Sequence, residues 1–407
     1  MARRRPAARL SVHTSADGLR RTVHSGPLAP PVWFERNRPG PGLAAGPVAP
    51  DFALVALLPH AMKAGYDIEP DFAVDRTLLE GLAHYQEVWH RWRPDVFAEK
   101  IAIRAEPVER VTASPAERRR AVAAFSAGVD SSFTLLRHAG GTDWPGRRDL
   151  ASAVMVHGFD MPLSAAEGFA RLSRRGEAIA GELGVDFFTL RTNWRETAPN
   201  WQMSFGAGLA AVLQQFSAGH GTGLIATEEA YDNAFTIWGN SFWNDRFFSR
   251  GDFRIESDGG AYDRIDRISA LASRPAILAQ LSVCWAGPRS GDNCGTCAKC
   301  VLTKLNFTVA GVRDPWPFPE PLDAAQVAAM PIGTAWQARF LALIERRLAA
   351  LPAPDPVLLE AIRARLARAA RENGHGAAID LPKIARPKPK WKRAGARAID
   401  RLKRLRR

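Results

Sequence analysis

The stretch Ser126-Ala127-Gly128-Val129-Asp130-Ser131-Ser132 puts three hydroxyls, one glycine and one carboxylate into seven consecutive positions. Hydroxyls and unpaired backbone N–H groups donate to oxyanions, so such a turn at a helix start forms an anion site. An ordinary polar turn between a strand and a helix has the same composition, and the stretch alone does not separate the two. About 150 residues later come Cys284, Cys294, Cys297 and Cys300, the only cysteines of the chain, spaced C-x9-C-x2-C-x2-C. Four thiolates close a tetrahedral Zn²⁺ site, and a filled ligand shell makes such a zinc structural. An iron–sulfur cluster uses the same four ligands. Buried thiols with no metal would not need this spacing.

The elements that must position these residues follow from the flanking pattern. Val122–Phe125 suits a short buried strand, and Phe133, Leu135 and Leu136, stopped at Gly140 and Gly141, suit a helix. Residues 116–283 alternate strand-like segments (AVAAF, ASAVMVHGF, DFFTLRTN, GLIAT) with helix-like ones. That alternation predicts an α/β fold, a Rossmann-like parallel sheet with helices on both faces. Ligands of such sheets bind beyond the carboxyl ends of the strands. His157 and Asp160 fall there after the second strand, and Asn193 and Arg195 after the third. The aromatic- and Asn-rich stretch ATEEAYDNAFTIWGNSFWNDRFFS follows the fourth and reads as a substrate-facing loop with rings for a planar group.

Outside this region, residues 1–50 read as a basic, Pro/Gly-rich lead-in, loosely held from residue 22. Residues 51–115 read as a small α+β domain, with two or three strands, DFALVALL among them, around the helix VDRTLLEGLAHYQEVWHRW. The metal segment spans 284–312, two periodic segments over 334–377 predict a helical appendage, and 383–407 is a basic tail.

FSAGVDSS resembles the Ser-Gly-Gly-x-Asp-Ser signature of the PP-loop ATP pyrophosphatases. The turn followed by this cysteine pattern is similar to the 7-cyano-7-deazaguanine synthase family over about residues 118–310. The resemblance implies the adenine nucleotide α-hydrolase-like fold and an ATP-dependent, AMP- and pyrophosphate-forming C–N ligase. It further implies Mg²⁺, structural Zn²⁺, and a small-molecule carboxylate that is adenylated and then attacked by ammonia or an amine to give an amide or nitrile. By this likeness Ser126, Ala127, Gly128, Val129, Asp130, Ser131 and Ser132 would cradle the pyrophosphate, with Asp130 orienting the loop or a Mg²⁺. His157 would touch adenine or ribose. Arg264, in DGGAYDRIDRI where these synthases place a lysine, would hold the leaving pyrophosphate. The catalytic set is then Asp130, Ser131 and Arg264. The chain departs from the signature at Ala127, where the family has glycine; a positive φ there costs strain. Other PP-loop proteins insert sulfur into tRNA, and a degenerate member could serve as a nucleotide-binding scaffold. Every cysteine lies in the cluster, so nitrogen would come from free ammonia, an amine-donor protein or an amine substrate.

Of the net charge of +13, residues 383–407 carry +11 and residues 1–21 carry +5, leaving the body near −3. The basic tail is a candidate contact for RNA or an anionic membrane surface. With 46% hydrophobic and 24% charged residues over 407 positions the chain is long enough for a sizeable core. No apolar run reaches a membrane span and no secretory h-region opens the sequence, so a cytoplasmic location is expected.

Overall fold

The computed structural model describes residues 5–39, 48–111, 114–141, 143–233, 236–284 and 289–372. The basic tail, 383–407, and its expected contact with RNA or a membrane surface lie outside them. Residues 7–36 form three antiparallel strands, β1 (Ala7–Thr14), β2 (Arg20–His24) and β3 (Val32–Arg36). The expectation of a loosely held segment from residue 22 is therefore corrected. Each strand alternates buried and exposed residues, and Leu10, Val23, Val32 and Phe34 point into the core.

DFALVALL is also corrected, from strand to helix: α1 (Phe52–Ala64) is buried from Phe52 to Met62. A short apolar run reads equally as a buried strand or a helix segment, but 13 residues exceed a strand's usual length. Gly65, left-handed at φ 74°, ends the helix by returning its N–H to the Ala61 carbonyl. There follow β4 (Asp67–Pro70), the two-residue β5 (Val74–Asp75), α2 (Arg76–Trp92), the two-residue β6 (Pro107–Val108) and the one-turn α3 (Pro115–Arg119). Asp75 caps α2 through the Leu78 N–H, and the helix buries Leu78, Leu82, Tyr85 and Trp89 on one stripe.

The alternating region then unfolds as read: β7 (Arg120–Ala124), α4 (Val129–Ala139), β8 (Asp149–His157), α5 (Ala166–Glu182), β9 (Asp186–Thr192), the single turn α6 (Trp194–Thr197), α7 (Trp201–Gln214) and β10 (Thr222–Ala226). A further strand, β11 (Arg254–Asp258), precedes α8 (Arg264–Leu271) and α9 (Pro275–Gln280). The nine-stranded sheet has the order β11-β10-β7-β8-β9-β3-β2-β1-β4. From β11 to β9 the strands are parallel, whereas β3 joins β9 antiparallel, so the sheet is mixed rather than wholly parallel. The strand β7, central to the five parallel ones, is buried on both faces: Ala121 and Ala123 face α4, α5 and α9, and Val122 and Ala124 face α1 and α7.

After Cys297, α10 (Ala298–Val309, which carries Cys300), α11 (Ala324–Ala329), α12 (Ala335–Ala349) and α13 (Pro356–Glu372) form a helical unit with its own core of Val301, Leu305, Leu341, Ile344 and Ile362. It also buries Ile265 of α8. Arg347 of α12 bonds Asp263 and Asp266, the capping box of α8, at 3.0 and 2.8 Å. The appendage thus braces the helix that carries Arg264. Among the described residues no helix is long and apolar enough to cross a membrane.

Candidate functional site at the end of the central strand

Strand order reverses at β7: the chain moves from β7 to β8 and β9 on one side and returns to β10 and β11 on the other. The crevice at the carboxyl end of β7 is the place where such sheets take ligands, and the Ser126–Ser132 turn lies there. Left-handed backbone in this turn belongs to Ala127, at φ 59°, not to Gly128, which is extended at φ −81°. The positive φ weighed for Ala127 is thus the one observed. Ala127 is fully buried, and its carbonyl accepts the Ser282 N–H at 2.9 Å, which ties the turn to the segment entering the cysteine cluster.

Ser131 Oγ lies 3.1 Å from Ser126 Oγ and accepts the Ser126 N–H at 3.2 Å, so the two hydroxyls hold the loop closed on itself. Ser132 Oγ is buried and has no hydrogen-bond partner among the described residues. No side chain caps the start of α4. Its first N–H groups, on Val129, Asp130 and Ser131, have no intrahelical acceptor and carry the positive end of the helix dipole.

Asp130 is held by two guanidinium groups. Arg264 Nη2 donates at 2.9 Å and its Nε at 3.2 Å to both oxygens, while Arg267 Nη1 donates at 2.5 Å. Burial pushes the Asp130 carboxyl up, but Arg264 and Arg267 outweigh it and bring it down to about 2. Burial likewise opposes the charge on Arg264, and Asp130, Glu228 and Glu229 more than offset it, so its affinity for its proton rises. Arg267 is 1% exposed and also donates to Thr227 O, Thr227 Oγ1 and Gly259 O. It locks the ends of β10 and β11 to the turn. With both carboxylate oxygens bonded to arginine, Asp130 orients the loop and offers no free oxygen to the Mg²⁺ expected of it.

Glu228 and Glu229 follow β10 directly. Burial raises both, Glu229 to about 7, against the pull of Lys299 and Arg264 on Glu228 and of Arg264 and Arg339 on Glu229. Together with Thr227, Trp238, Asn240 and Phe242 they line a shallow crevice with room for about one water. The segment 236–242 of the loop expected to face substrate does form one wall of it. His157 is placed differently from its expected ligand role: it is 4% exposed, its Nε2 pairs with Pro162 O at 3.0 Å, and its ring stacks on Phe169 at 4.3 Å. Asn193 clasps the start of β3 through Trp33 N and Pro31 O, and Arg195 bonds the Phe159 carbonyl and covers Trp201.

The four cysteine sulfurs lie within 4.8 Å of one another, with Cys284–Cys297 at 3.8 Å and Cys294–Cys300 at 3.9 Å. Four sulfurs about 2.3 Å from one tetrahedral ion stand about 3.8 Å apart, so the cluster fits a single zinc. Sequence reasoning missed Arg267 and Lys299 and took in Glu228 and Glu229 only as part of the substrate-facing loop. Arg264 and Arg267 sit three apart on one helix face, a signal in DRIDRI that was open to reading. Comparison with protein-family models, curated proteins and solved structures finds no match to this chain.

Proposed function

We propose that the Ser126–Ser132 turn is a PP-loop and that the chain is an ATP-dependent ligase which adenylates a carboxylate and passes it to a nitrogen nucleophile. The observation that carries this reading is the uncapped start of α4 at the strand-order reversal, flanked by Arg264, Arg267 and Lys299. A carboxylate oxygen is a poor leaving group. Attack of that oxygen on the α-phosphorus of ATP breaks the α–β bond and converts it to AMP. The free N–H groups of Val129, Asp130 and Ser131, with the hydroxyls of Ser126 and Ser131, would hold the departing pyrophosphate. Arg264 would absorb its growing charge, released in part from Asp130 as phosphate oxygens arrive.

Zinc, when bound, would cross-link the Cys284–Cys300 segment and would stand outside the chemistry, since all four ligands are protein thiols. A tRNA sulfur-insertion reading needs a persulfide-forming cysteine or an open iron–sulfur cluster, and zinc on all four thiols of the chain would leave neither. The test is release of AMP and pyrophosphate from ATP by the full chain with a panel of carboxylic acids, 7-carboxy-7-deazaguanine among them. We expect AMP with at least one acid and, in Ser131→Ala, a rate lower by about a hundredfold, the loss typical of one aligned donor. ADP in place of AMP, or no cleavage with any acid, would discard adenylation in favour of a nucleotide-binding scaffold.

A further inference from the structure

Lys304, one turn after Cys300 on α10, is 0% exposed, and among the described residues no carboxylate lies within ion-pair distance of it. Its Nζ donates to Pro321 O at 3.3 Å and to Gln326 Oε1 at 3.1 Å, which leaves the third N–H without an acceptor among those residues. Lysine is almost never fully buried unless paired, because an ammonium out of water without a counter-charge is costly. The pairing is to be sought in the cysteine cluster. A Cβ placed on Gly295 would lie 3.4 Å from Nζ, so the ammonium sits directly behind the turn that joins Cys294 to Cys297. Burial weakens its hold on the proton, against the pull of Cys300, Glu320, Asp323 and Cys294, and both of those carboxylates are on the exposed surface.

The thiols pose the opposite problem. A divalent ion on four thiolates leaves two negative charges unbalanced, and Cys300 is fully buried with the other three half-buried. Cys294 accepts the Cys297 N–H at 3.3 Å and the Thr296 hydroxyl at 3.7 Å, dipoles that bring no net charge. We infer that Lys304 is the counter-charge of the tetrathiolate metal centre, offsetting one of its two negative charges and raising its affinity for zinc. Each buried charge is then the partner that the other lacks. The inference rests on the zinc reading and is independent of adenylation. The competing role is a tether, since the bond to Gln326 joins α10 to α11 whatever the cysteines hold. A tether needs only N–H donors, whereas a counter-charge needs the positive charge. Glutamine at position 304 separates the two, because its amide keeps donors and loses the charge.

The test is the zinc affinity of the full chain, read by competition with a chelating dye. Lys304→Gln should lower it by about tenfold or more, the usual loss when a group outside the ligand shell is removed. With Co²⁺ as an optical probe, the thiolate-to-metal charge-transfer band should move to longer wavelength in the same variant. Sulfur lone pairs rise in energy once the positive charge has gone, and loss of a tether would not move that band. Gln326→Ala, which cuts a bond of the ammonium and keeps its charge, should leave both affinity and band as in the parent. Parental affinity and an unmoved band in Lys304→Gln, or an equal loss in Gln326→Ala, would each overturn the assignment, the second in favour of the tether. If Lys304→Gln does not fold, a crystal structure of the zinc-loaded parent decides. The ammonium is expected against the Cys294 or Cys300 sulfur, and an ammonium paired with Glu320 or Asp323 instead would overturn the role. A chain that takes up neither zinc nor cobalt would remove the metal centre and this role together, whereas metal binding indifferent to Lys304→Gln would remove this role alone.

Discussion

Ala127 is the residue at which the turn departs from the PP-loop signature, and its φ of 59° makes it one of two described non-glycine residues in the left-handed region. For an alanine this conformation costs about 1–2 kcal/mol. Glycine would remove that cost but would lose a fully buried methyl, about 0.8 kcal/mol, and add unfolded-chain entropy of about 0.4–1 kcal/mol. We therefore expect Ala127→Gly to leave stability within about 1 kcal/mol in urea unfolding. Ala127→Val, β-branched where such residues are outliers, should lose more than about 2 kcal/mol. A valine variant as stable as the parent would mean that the turn relaxes and is not held by Ser282. This turn was legible in the sequence because its chemistry is packed into seven neighbours. Of the charged groups around Asp130 only Arg264 was. Arg267 on α8 and Lys299 on α10 stand more than 130 positions away, and only the packing of α8 on α4 and of α10 on α8 brings them in.

At the scale of elements, β7 to β10 and α4, α5 and α7 were legible because period and length agree there. The strand β11, with the sequence RIESD, was not, since it carries charge at its edge position and only Ile255 and Asp258 are buried. The helix α1 was misread because its apolar pattern has no period: it is covered on every side by β-sheet, α7 and Trp194, whose indole N–H bonds Ala56 O at 2.7 Å. The cysteine segment shows the converse case, an element whose shape comes from spacing alone. Its Cys297 is the N-cap of α10, and it abuts Ala127 through Ser282. A structural zinc contributes on the order of 10 kcal/mol, comparable to the whole stability of a typical domain. We expect about one zinc per chain by elemental analysis, and chelation should lower the melting temperature and expose the α10 amides to hydrogen exchange. Cys300→Ser, at the fully buried ligand, should do the same. A brown, iron-bearing protein would replace zinc by an iron–sulfur cluster and reopen the sulfur-insertion reading.

At the scale of the whole molecule the question is whether residues 5–39 are an addition to a nucleotide-binding core or part of it. They read as a lead-in because their strands are short and separated by Pro and Gly. Such strands gain their stability from partners that lie far along the chain. β3 pairs with β9 over Phe34–Thr192, Glu35–Arg191 and Arg36–Leu190, and Arg36 reaches across to Gln215 O at 3.3 Å at the end of α7. Leu10, Val23, Val32 and Phe34 are at most 1% exposed and share one core with Val122 and Ala124 of the strand that carries the turn. Burying four such side chains stabilises by about 6–12 kcal/mol, the size of the entire net stability of an ordinary domain. Removal of residues 1–39 should therefore abolish cooperative folding rather than trim it, with the chain recovered in aggregates and no melting transition by circular dichroism. The milder Phe34→Ala, which keeps β3 and its ladder, should cost about 3–5 kcal/mol and still fold. A chain lacking residues 1–39 that melted at the parent's temperature would show the parallel strands to be self-sufficient, and would make the antiparallel extension a separate unit.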